Sequence, residues 1–322
     1  MRSVTLLFGA VSVALFGASS VSAAGDEPAQ RFLTDAPVAW KKLDEFTHGL
    51  QATLTSTFGA QGAKPDAIIN EGKQFSTTEM RFALCNSNGS VFSHQLSSGT
   101  LSERMIVQNA DYAFHLQRKE SSGPWVIAEL DPDRTSNRLP KWLGPLFVST
   151  RANDVPVVAI VGSREFKLRS VKSEGALTTV SFVCNYNEDP HNVITGGEFT
   201  FNPDSYWRLE RYSMDVISGA KGVEQGTVSY TIGDVGFPMP AKFVKNSSYP
   251  PANFWRMVSV YHDVRPCQEP ESSFNISAFG FAEPDLSAKG WRRFGFIAFN
   301  VLALVCFAIA IYFRRRARAA RS

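Results

Sequence analysis

The stretch Gly196–Val216, GGEFTFNPDSYWRLERYSMDV, carries the clearest hairpin signal in the chain. At its centre is Asn-Pro-Asp-Ser, a combination of residues that favours a tight turn. On both sides of this turn, large apolar side chains alternate with polar ones, as expected for two half-buried strands. The alternating residues are Phe199, Phe201, Trp207 and Leu209. The stretch therefore predicts a β-hairpin, and it has no residue pattern of a catalytic site.

The second strand of this hairpin changes phase. By alternation Trp207 and Leu209 share one face, whereas Tyr212, Met214 and Val216 share the other. Two explanations are open: a bulge adds one residue to the strand, or apolar material covers both faces of the sheet. The second explanation predicts an outer layer or a partner on the sheet.

Alternating apolar residues recur along most of the chain. They occupy 80–84, 104–108, 112–116, 125–130, 166–171, 180–186, 226–232, 241–245 and 255–264. Turn-forming residues separate these runs, which is typical of an antiparallel meander of ten or more strands. The apolar, proline-interrupted stretch Leu139–Val148 breaks the series, and we interpret it as a short helix or a lid.

One helix is predicted before the strands. Asp35-Ala36-Pro37 supplies a cap and an early proline, and apolar residues then recur at helical spacing until Gly59. These residues are Trp40, Leu43, Phe46, Leu50, Leu54 and Phe58. The pattern predicts a single amphipathic helix whose apolar stripe is buried.

Both ends of the chain have the composition of targeting segments. Residues 1–24 combine one early arginine, an apolar core and a small-residue end, which predicts a cleaved secretory signal peptide. Residues 294–313 contain no charged side chain, and as a helix they measure about 30 Å, the hydrocarbon thickness of a bilayer. Five arginines follow, so we predict one transmembrane helix with a short cytoplasmic tail.

These ends predict the organisation of the whole chain. The expected order is a signal peptide at 1–24, a linker at 25–36, an extracytoplasmic β domain at 37–268, a juxtamembrane segment at 269–293, the span at 294–313 and the tail at 314–322. The expected location is the cytoplasmic membrane, crossed once, with the β domain in the periplasm.

The distribution of charge argues against nucleic acid as a partner. The chain has a formal net charge of +3, but its basic excess lies at the two ends. Between residues 25 and 288 acidic side chains outnumber basic ones. A mildly acidic domain lacks the basic patch that binds phosphate backbones. The membrane is the partner that the ends predict.

Three of the four cysteines fall in the predicted extracytoplasmic domain. Cys306 lies in the predicted span, which leaves Cys85, Cys184 and Cys267 in an oxidising compartment. Three cysteines permit at most one disulfide, and all three pairings are open. They are too far apart in sequence for a CxxC motif, so no metal site is predicted.

The helix, the long antiparallel series, the mid-chain insertion and the hairpin, followed by GTVSYTIGDVGFPMPAKFVKN, resemble the LolA-like superfamily over roughly residues 37–265. This superfamily includes lipoprotein carriers and the RseB/MucB-type sensors of the bacterial envelope. The resemblance implies a large curved antiparallel sheet, an unclosed half-barrel, packed on the helix. The predicted fold class is thus α+β and mostly β, with one C-terminal transmembrane helix. The resemblance also implies that the concave apolar face takes acyl chains.

A narrower resemblance concerns FNISAFGFAEPD, Phe274–Asp285. It is similar to a Phe-x-x-Ser-x-Phe-Gly-x-x-Glu-Pro juxtamembrane segment of C-terminally anchored secreted bacterial proteins of unknown function. We interpret it as an ordered segment whose aromatic side chains lie against the domain or the membrane interface.

Catalytic motifs are missing from the sequence. It has no GxSxG, HExxH, GxGxxG or phosphate-loop pattern. Its five histidines are scattered, and the acidic turns at 131–134 and 188–191 have the composition of solvated loops. We therefore predict no catalytic residue, no metal and no cofactor.

Two hypotheses for the function follow. The first is a membrane-anchored extracytoplasmic binding domain that holds a lipid or another apolar ligand on the concave face of the sheet. Its candidate lining residues alternate along the strands: Met80, Phe82, Leu84, Tyr112, Phe114, Leu116, Val180, Phe182, Val228, Tyr230 and Ile232. The alternative is a non-catalytic envelope interaction or signalling protein that binds a protein partner, with a fully packed core and no small ligand.

Overall fold

The structure, a computed structural model, describes residues 27–59, 74–85, 88–97, 100–134, 143–189, 192–232, 237–249 and 253–286. Within these ranges the helices are α1 (Glu27–Thr47) and α2 (Val157–Val161). Short 3-10 helices lie at Gly144–Phe147, Pro203–Ser205, Glu271–Phe274 and Ile276–Phe279.

Fifteen strands occupy most of the described residues. In the first half they are β1 (Leu50–Gly59), β2 (Gln74–Cys85), β3 (Asn88–Ser97), β4 (Thr100–Gln108), β5 (Ala113–Arg118), β6 (Val126–Asp131), β7 (Arg151–Ala152) and β8 (Val155–Pro156). In the second half they are β9 (Lys167–Glu174), β10 (Leu177–Asp189), β11 (Asn192–Asn202), β12 (Arg208–Ser218), β13 (Ala220–Ile232), β14 (Pro238–Tyr249) and β15 (Asn253–Pro266). Every strand predicted from alternation is present.

Thirteen of these strands form one sheet, in the order β6-β5-β4-β3-β2-β1-β15-β14-β13-β12-β11-β10-β9. The two strands most distant in sequence, β1 and β15, pair antiparallel at its centre, with Leu54 opposite Tyr261. Two meanders extend from this central pair. The edge strand β9 (KLRSVKSE) is rich in charge, which disfavours pairing with another chain. Strands β7 and β8 form a separate hairpin.

The prediction of one helix that continues to Gly59 is wrong. Helix α1 ends at Thr47, and β1 begins at Leu50. The apolar positions 46, 50, 54 and 58 are spaced by four, a spacing that fits a strand as well as a helix. Leu50, Ala52, Leu54 and Ser56 are buried in strand alternation, and the β-branched residues Thr53, Thr55 and Thr57 between them favour the strand.

The phase change in the hairpin comes from a bulge, the first of the two explanations. Thr200 pairs with Arg211 and Phe201 with Leu209, so Glu210 is the extra residue in β12. The bulge turns the apolar residues on both sides of it toward one core, and each is at most 4% exposed. The hairpin of β11 and β12 therefore contributes one continuous apolar surface.

We call the sheet face that carries this surface the inner face. Helix α1 lies on it through Phe32, Ala36, Trp40 and Leu43, which the helical period brings to one side. The indole of Trp40 donates a hydrogen bond of 2.7 Å to the carbonyl of Trp207 at the end of the hairpin turn. This bond satisfies a buried polar group and fixes the helix to the hairpin.

The opposite, outer face carries a second apolar core over β2, β4 and β5. The chain after β15 packs here, with Phe274 and Ile276 each 1% exposed. A disulfide joins Cys85 of β2 to Cys267, with a Cα–Cα distance of 5.5 Å, and Cys184 is a free thiol. Residues 267–286 are thus part of the fold, and we call them the outer segment. The prediction that the aromatic side chains of Phe274–Asp285 lie against the domain is confirmed.

The predicted fold class needs a correction. The described residues form a mostly β fold with one long and one short helix, and neither of these helices is long and apolar enough to cross a membrane. The predicted transmembrane helix at 294–313, the signal peptide at 1–24 and the tail at 314–322 lie outside the described residues. Helix α1 begins at Glu27, within the stretch predicted as a linker at 25–36.

Candidate functional site

Six of the predicted lining residues meet in the inner core. They are Met80, Phe82, Leu84, Val180, Phe182 and Val228, each at most 8% exposed, and Tyr230 packs against them. The strands that carry them lie on both sides of the central β1–β15 pair. The sheet therefore brings together residues that are up to about 150 positions apart in the chain, as antiparallel meanders allow.

The other predicted lining residues lie elsewhere. Tyr112, Phe114 and Leu116 belong to the outer core, where they contact the outer segment. Ile232 is 85% exposed at the end of β13. Alternation shows that a strand has a buried side, but it does not show which face of the sheet that side belongs to.

A row of aromatic rings forms part of the inner face. The ring centroids of Phe166 and Phe182 are 5.4 Å apart, those of Phe182 and Phe199 4.5 Å, and those of Trp40 and Phe201 5.4 Å. These offset and tilted contacts are favourable beyond the area they bury. The row extends from Phe166, just before β9, to helix α1 and gives this half of the inner face a wide apolar surface.

Residues 143–161 cover the inner face together with α1, and we call them the covering segment. Leu146, Phe147 and Val148 are each at most 6% exposed, and Val157 and Ile160 are fully buried. The Tyr261 hydroxyl donates a hydrogen bond of 2.6 Å to the Pro145 carbonyl. The Leu209 amide donates one of 2.9 Å to the Ser149 carbonyl. Residues 139–142 of the stretch predicted as a short helix or lid lie outside the described residues, and the remainder holds the 3-10 helix Gly144–Phe147, which covers the sheet.

The covering segment also contacts α1 through a half-buried carboxylate, that of Asp44. Thr150 donates a hydrogen bond of 2.6 Å to Asp44. Burial raises the pKa of Asp44, although the bond from Thr150 and the charge of Arg151 act in the opposite direction. The contact between the two elements that cover the sheet therefore includes a partly desolvated acid.

A buried polar cluster interrupts the apolar inner face. Glu224 and Lys245 are 3% and 7% exposed, and their charged atoms are 3.6 Å apart. Tyr249 donates a hydrogen bond of 2.6 Å to Glu224, Ser247 donates a second one, and Lys245 donates to Asn153 of the covering segment. Burial, followed by the nearby Glu224 carboxylate, raises the pKa of Tyr249. In the sequence, two charged residues indicate this cluster: Glu224 at an inward-facing position of β13 and Lys245 at an inward-facing position of β14.

An open groove lies on the outer face. Its volume is about 910 Å³, and its walls are β15 and β1 to β5 on one side and the start of the outer segment on the other. Arg81 lies over the ring of Phe92 at 5.6 Å, and Arg118 lies over Trp125 at 4.4 Å. No sequence motif indicates this groove, because its walls come from opposite ends of the domain.

Arg118 is positioned by a buried acid. Glu103 is 3% exposed and accepts hydrogen bonds from Arg118, from Ser121 at 2.8 Å and from His94 at 2.9 Å. Burial acts to raise the pKa of Glu103, but these three hydrogen bonds outweigh it and lower the pKa. The cluster therefore fixes the guanidinium that stacks on Trp125.

No group of three or more histidine, cysteine or acidic side chains in the described ranges is arranged to hold a metal ion. The disulfide of Cys85 and Cys267 occupies two of the three cysteines outside the predicted span. The thiol of Cys184 lies near the Ile194 carbonyl at 3.2 Å, and burial raises its pKa. A thiol with a raised pKa is a poor nucleophile at neutral pH.

Comparisons with known proteins give similarities in backbone structure. No protein-family model and no curated protein matches the chain. The chain is similar to a LolA superfamily protein from Nitrosomonas europaea, with a TM-score of 0.42 and 14% identity over 75% of this chain and 97% of the other. It is similar to an outer-membrane lipoprotein-sorting domain from Vibrio parahaemolyticus, with a TM-score of 0.43 and 10% identity over 76% and 97%. A DUF1329 family protein from Desulfovibrio piger gives a TM-score of 0.42 and 9% identity over 76% and 99%. The superfamily that the sequence resembles is therefore among the solved structures to which this chain is similar.

Proposed function

We propose that the chain is a non-catalytic extracytoplasmic binding domain that takes an apolar ligand, such as an acyl chain, onto the inner face of its sheet. One observation carries the proposal. The apolar inner face is covered by two elements that are not strands of the sheet, α1 and the covering segment. Among the described residues the only disulfide is on the outer face, so the covering segment can leave without breaking a covalent bond.

The ligand replaces the side chains of the covering segment. Leu146, Phe147 and Val148 contact the sheet in the closed state, and an acyl chain offers the same apolar surface when they leave. When an acyl chain takes the place of these side chains, the inner core stays away from water. The open state, in which the covering segment has left the sheet, is therefore accessible. Lys245 loses Asn153 in this exchange and becomes available for a polar headgroup.

The extracytoplasmic location is part of the proposal. The bond between Cys85 and Cys267 supports it, because structural disulfides persist in oxidising compartments and are rare in the cytosol. The bond lies beside the outer core and tethers the outer segment to β2.

The experiment is native mass spectrometry of the full chain, purified gently, followed by lipid extraction. Its matched variants are Phe182→Leu in the inner core and Phe114→Leu in the outer core, since these side chains are 3% and 2% exposed. Both variants are expected to lower the free energy of unfolding by about 1–2 kcal/mol. Only Phe182→Leu is expected to reduce the amount of co-purifying acyl species.

A second candidate function has a specific observation in its favour. The covering segment and α1 fill the inner core in the described residues, as expected for an interaction domain with a packed core and no small ligand. A clean apo mass, with no lipid recovered and no change in melting temperature on adding fatty acid, would select this candidate. Equal loss of lipid in both phenylalanine variants would also reject the inner face as the ligand site.

A further inference from the structure

The groove on the outer face has walls from two parts of the chain that are far apart in sequence. Strands β15 and β1 to β5 form one wall, and the lining residues of the outer segment from Glu269 to Phe279 form the other. The disulfide between Cys85 and Cys267 and the packing of Phe274 hold the second wall against the sheet. The groove, of about 910 Å³, is thus a fixed cavity of the size that binds small molecules and short chains.

The charges that line the groove are balanced. Arg81, Arg118 and Arg265 face three acids: Glu79, Asp263 and Glu269. Arg81 is paired with Glu79 at 3.1 Å, and the charge of Arg118 is compensated by Glu103 below it. A groove without excess charge does not concentrate polyanions or polycations, which disfavours nucleic acid, free phosphate and basic peptides.

The groove also contains an aromatic side chain, Trp125, that its neighbours hold in place. Trp125 contacts Phe92 and Phe279 edge to face, with centroid distances of 6.4 Å and 6.3 Å. The guanidinium of Arg118 lies across the Trp125 ring and limits its rotation. The partly buried indole lines the groove, with Arg118 over one side of its ring and other charged planar groups nearby.

The backbone of the sheet is not available to a ligand in this groove. Each of β1 to β5 is paired with a strand on both sides, so an extended peptide has no free edge to join. The floor offers polar side chains instead, among them Gln51, Thr53 and Ser90. Recognition therefore depends on side chains: planar amide, carboxylate and guanidinium groups beside an aromatic surface.

We propose that this groove binds a neutral oligosaccharide. Sugar rings have vicinal hydroxyl pairs that match planar two-point groups such as guanidinium and carboxylate, and their C–H faces are apolar and flat. The part of the Trp125 ring that Arg118 leaves open receives a C–H face, and the hydroxyls bind to Arg265 of β15 and to Glu269 of the outer segment. A neutral sugar binds through its hydroxyl and C–H groups, so it needs neither an excess of charge in the groove nor a free strand edge. This site is on the opposite face from the proposed apolar ligand and does not depend on it.

The test uses the full chain and two neutral probes, chitopentaose and maltohexaose, with isothermal titration and tryptophan fluorescence. We expect saturable binding of at least one probe with a dissociation constant below about 1 mM. Trp125→Ala and Arg265→Gln are each expected to weaken binding by at least about tenfold. Trp125→Phe retains an aromatic face and is expected to keep most of the affinity.

Matched controls lie outside the groove. Trp255→Ala removes an indole that contacts Lys245, and Arg164→Gln removes an exposed arginine near α2. Both are expected to leave probe binding unchanged. Absence of binding for both probes overturns the proposal, and so does binding that survives Trp125→Ala. If acyl binding is lost in Phe182→Leu while probe binding is retained, the two sites are separate. If probe binding fails while acyl binding persists, only the groove assignment falls.

Discussion

The hydroxyl of Tyr112 donates a hydrogen bond to the carboxylate of Glu283, although 171 positions separate the two residues. The same hydroxyl accepts a hydrogen bond of 3.0 Å from the Ile276 amide, and Glu283 accepts one of 3.0 Å from the Ser277 amide. Tyr112 is 4% exposed. One phenol at the start of β5 thus connects the sheet to two points of the outer segment, and this geometry uses the spacing of Ser277 and Glu283.

Tyr112→Phe is expected to weaken the docking of the outer segment. The substitution keeps the ring but leaves the Ile276 amide without its acceptor and removes one of the two hydrogen bonds that Glu283 accepts, at a cost of about 1–3 kcal/mol. Hydrogen exchange of the Ile276 and Ser277 amides, together with urea unfolding, measures the effect. Tyr206→Phe is the control, because Tyr206 stacks on Phe237 and its hydroxyl has no hydrogen bond among the described residues. If hydrogen exchange at both amides is unchanged in Tyr112→Phe, the Tyr112 hydroxyl does not hold the outer segment against the sheet.

The double variant Cys85→Ser/Cys267→Ser is expected to lose about 2–5 kcal/mol of unfolding free energy. The bond closes a loop with a sequence separation of 182, and cross-links over long loops restrict the unfolded chain most. Urea unfolding with and without reductant gives the value. Cys184→Ser is expected to be nearly neutral, because that thiol is free. Peptide mapping that finds Cys184 in a disulfide would contradict the assigned pairing.

Acid is expected to destabilise the fold partly through Glu103. Its folded pKa is lowered, so the folded state binds fewer protons than the unfolded state near the unfolded value of about 4.3. The contribution is fully present above that pH and is lost as the pH falls through the folded pKa. Glu103→Gln is expected to be less stable at neutral pH by about 1–3 kcal/mol and to show a flatter acid decline.

Denaturant unfolding of wild type and variant between neutral and acidic pH checks this prediction. Glu165→Gln is the matched control, since Glu165 is an exposed carboxylate outside any ion pair in the described ranges. Its acid decline is expected to match that of the wild type. If the free energy of unfolding falls with pH at the same slope in wild type and in Glu103→Gln, another group controls the loss of stability in acid.

Gly197→Ala is expected to cost about 3 kcal/mol or more. Gly197 has φ +145, and a Cβ there would lie 2.2 Å from the Ser213 carbonyl oxygen of the paired strand β12. Gly175→Ala is the comparison, because Gly175 has φ +60 but nothing within 4 Å of its Cβ position. That variant is expected to lose only about 1 kcal/mol. Thermal unfolding distinguishes the two, and equal losses would show that the close approach of β11 and β12 is not the cause.

The sequence determined the identity of most elements by itself. Alternation at 80–84, 112–116 and 180–186 predicts strands because a strand's side chains point to opposite faces in turn, a property of the local backbone. The same local rule failed at positions 46 to 58, where a spacing of four satisfies both a helix and a strand. The turn at 202–205 was likewise readable from composition alone.

Only the tertiary structure decided which face each strand buries, and hence where the candidate sites lie. Phe82 and Phe114 have the same local pattern, but one faces the inner core and the other the outer core. The pairing of β1 with β15 and the bond between Cys85 and Cys267 join residues that are distant in the chain, and the contact of Glu224 with Lys245 joins two paired strands. Such contacts depend on the register and order of all strands in the sheet, and no local sequence pattern carries that information.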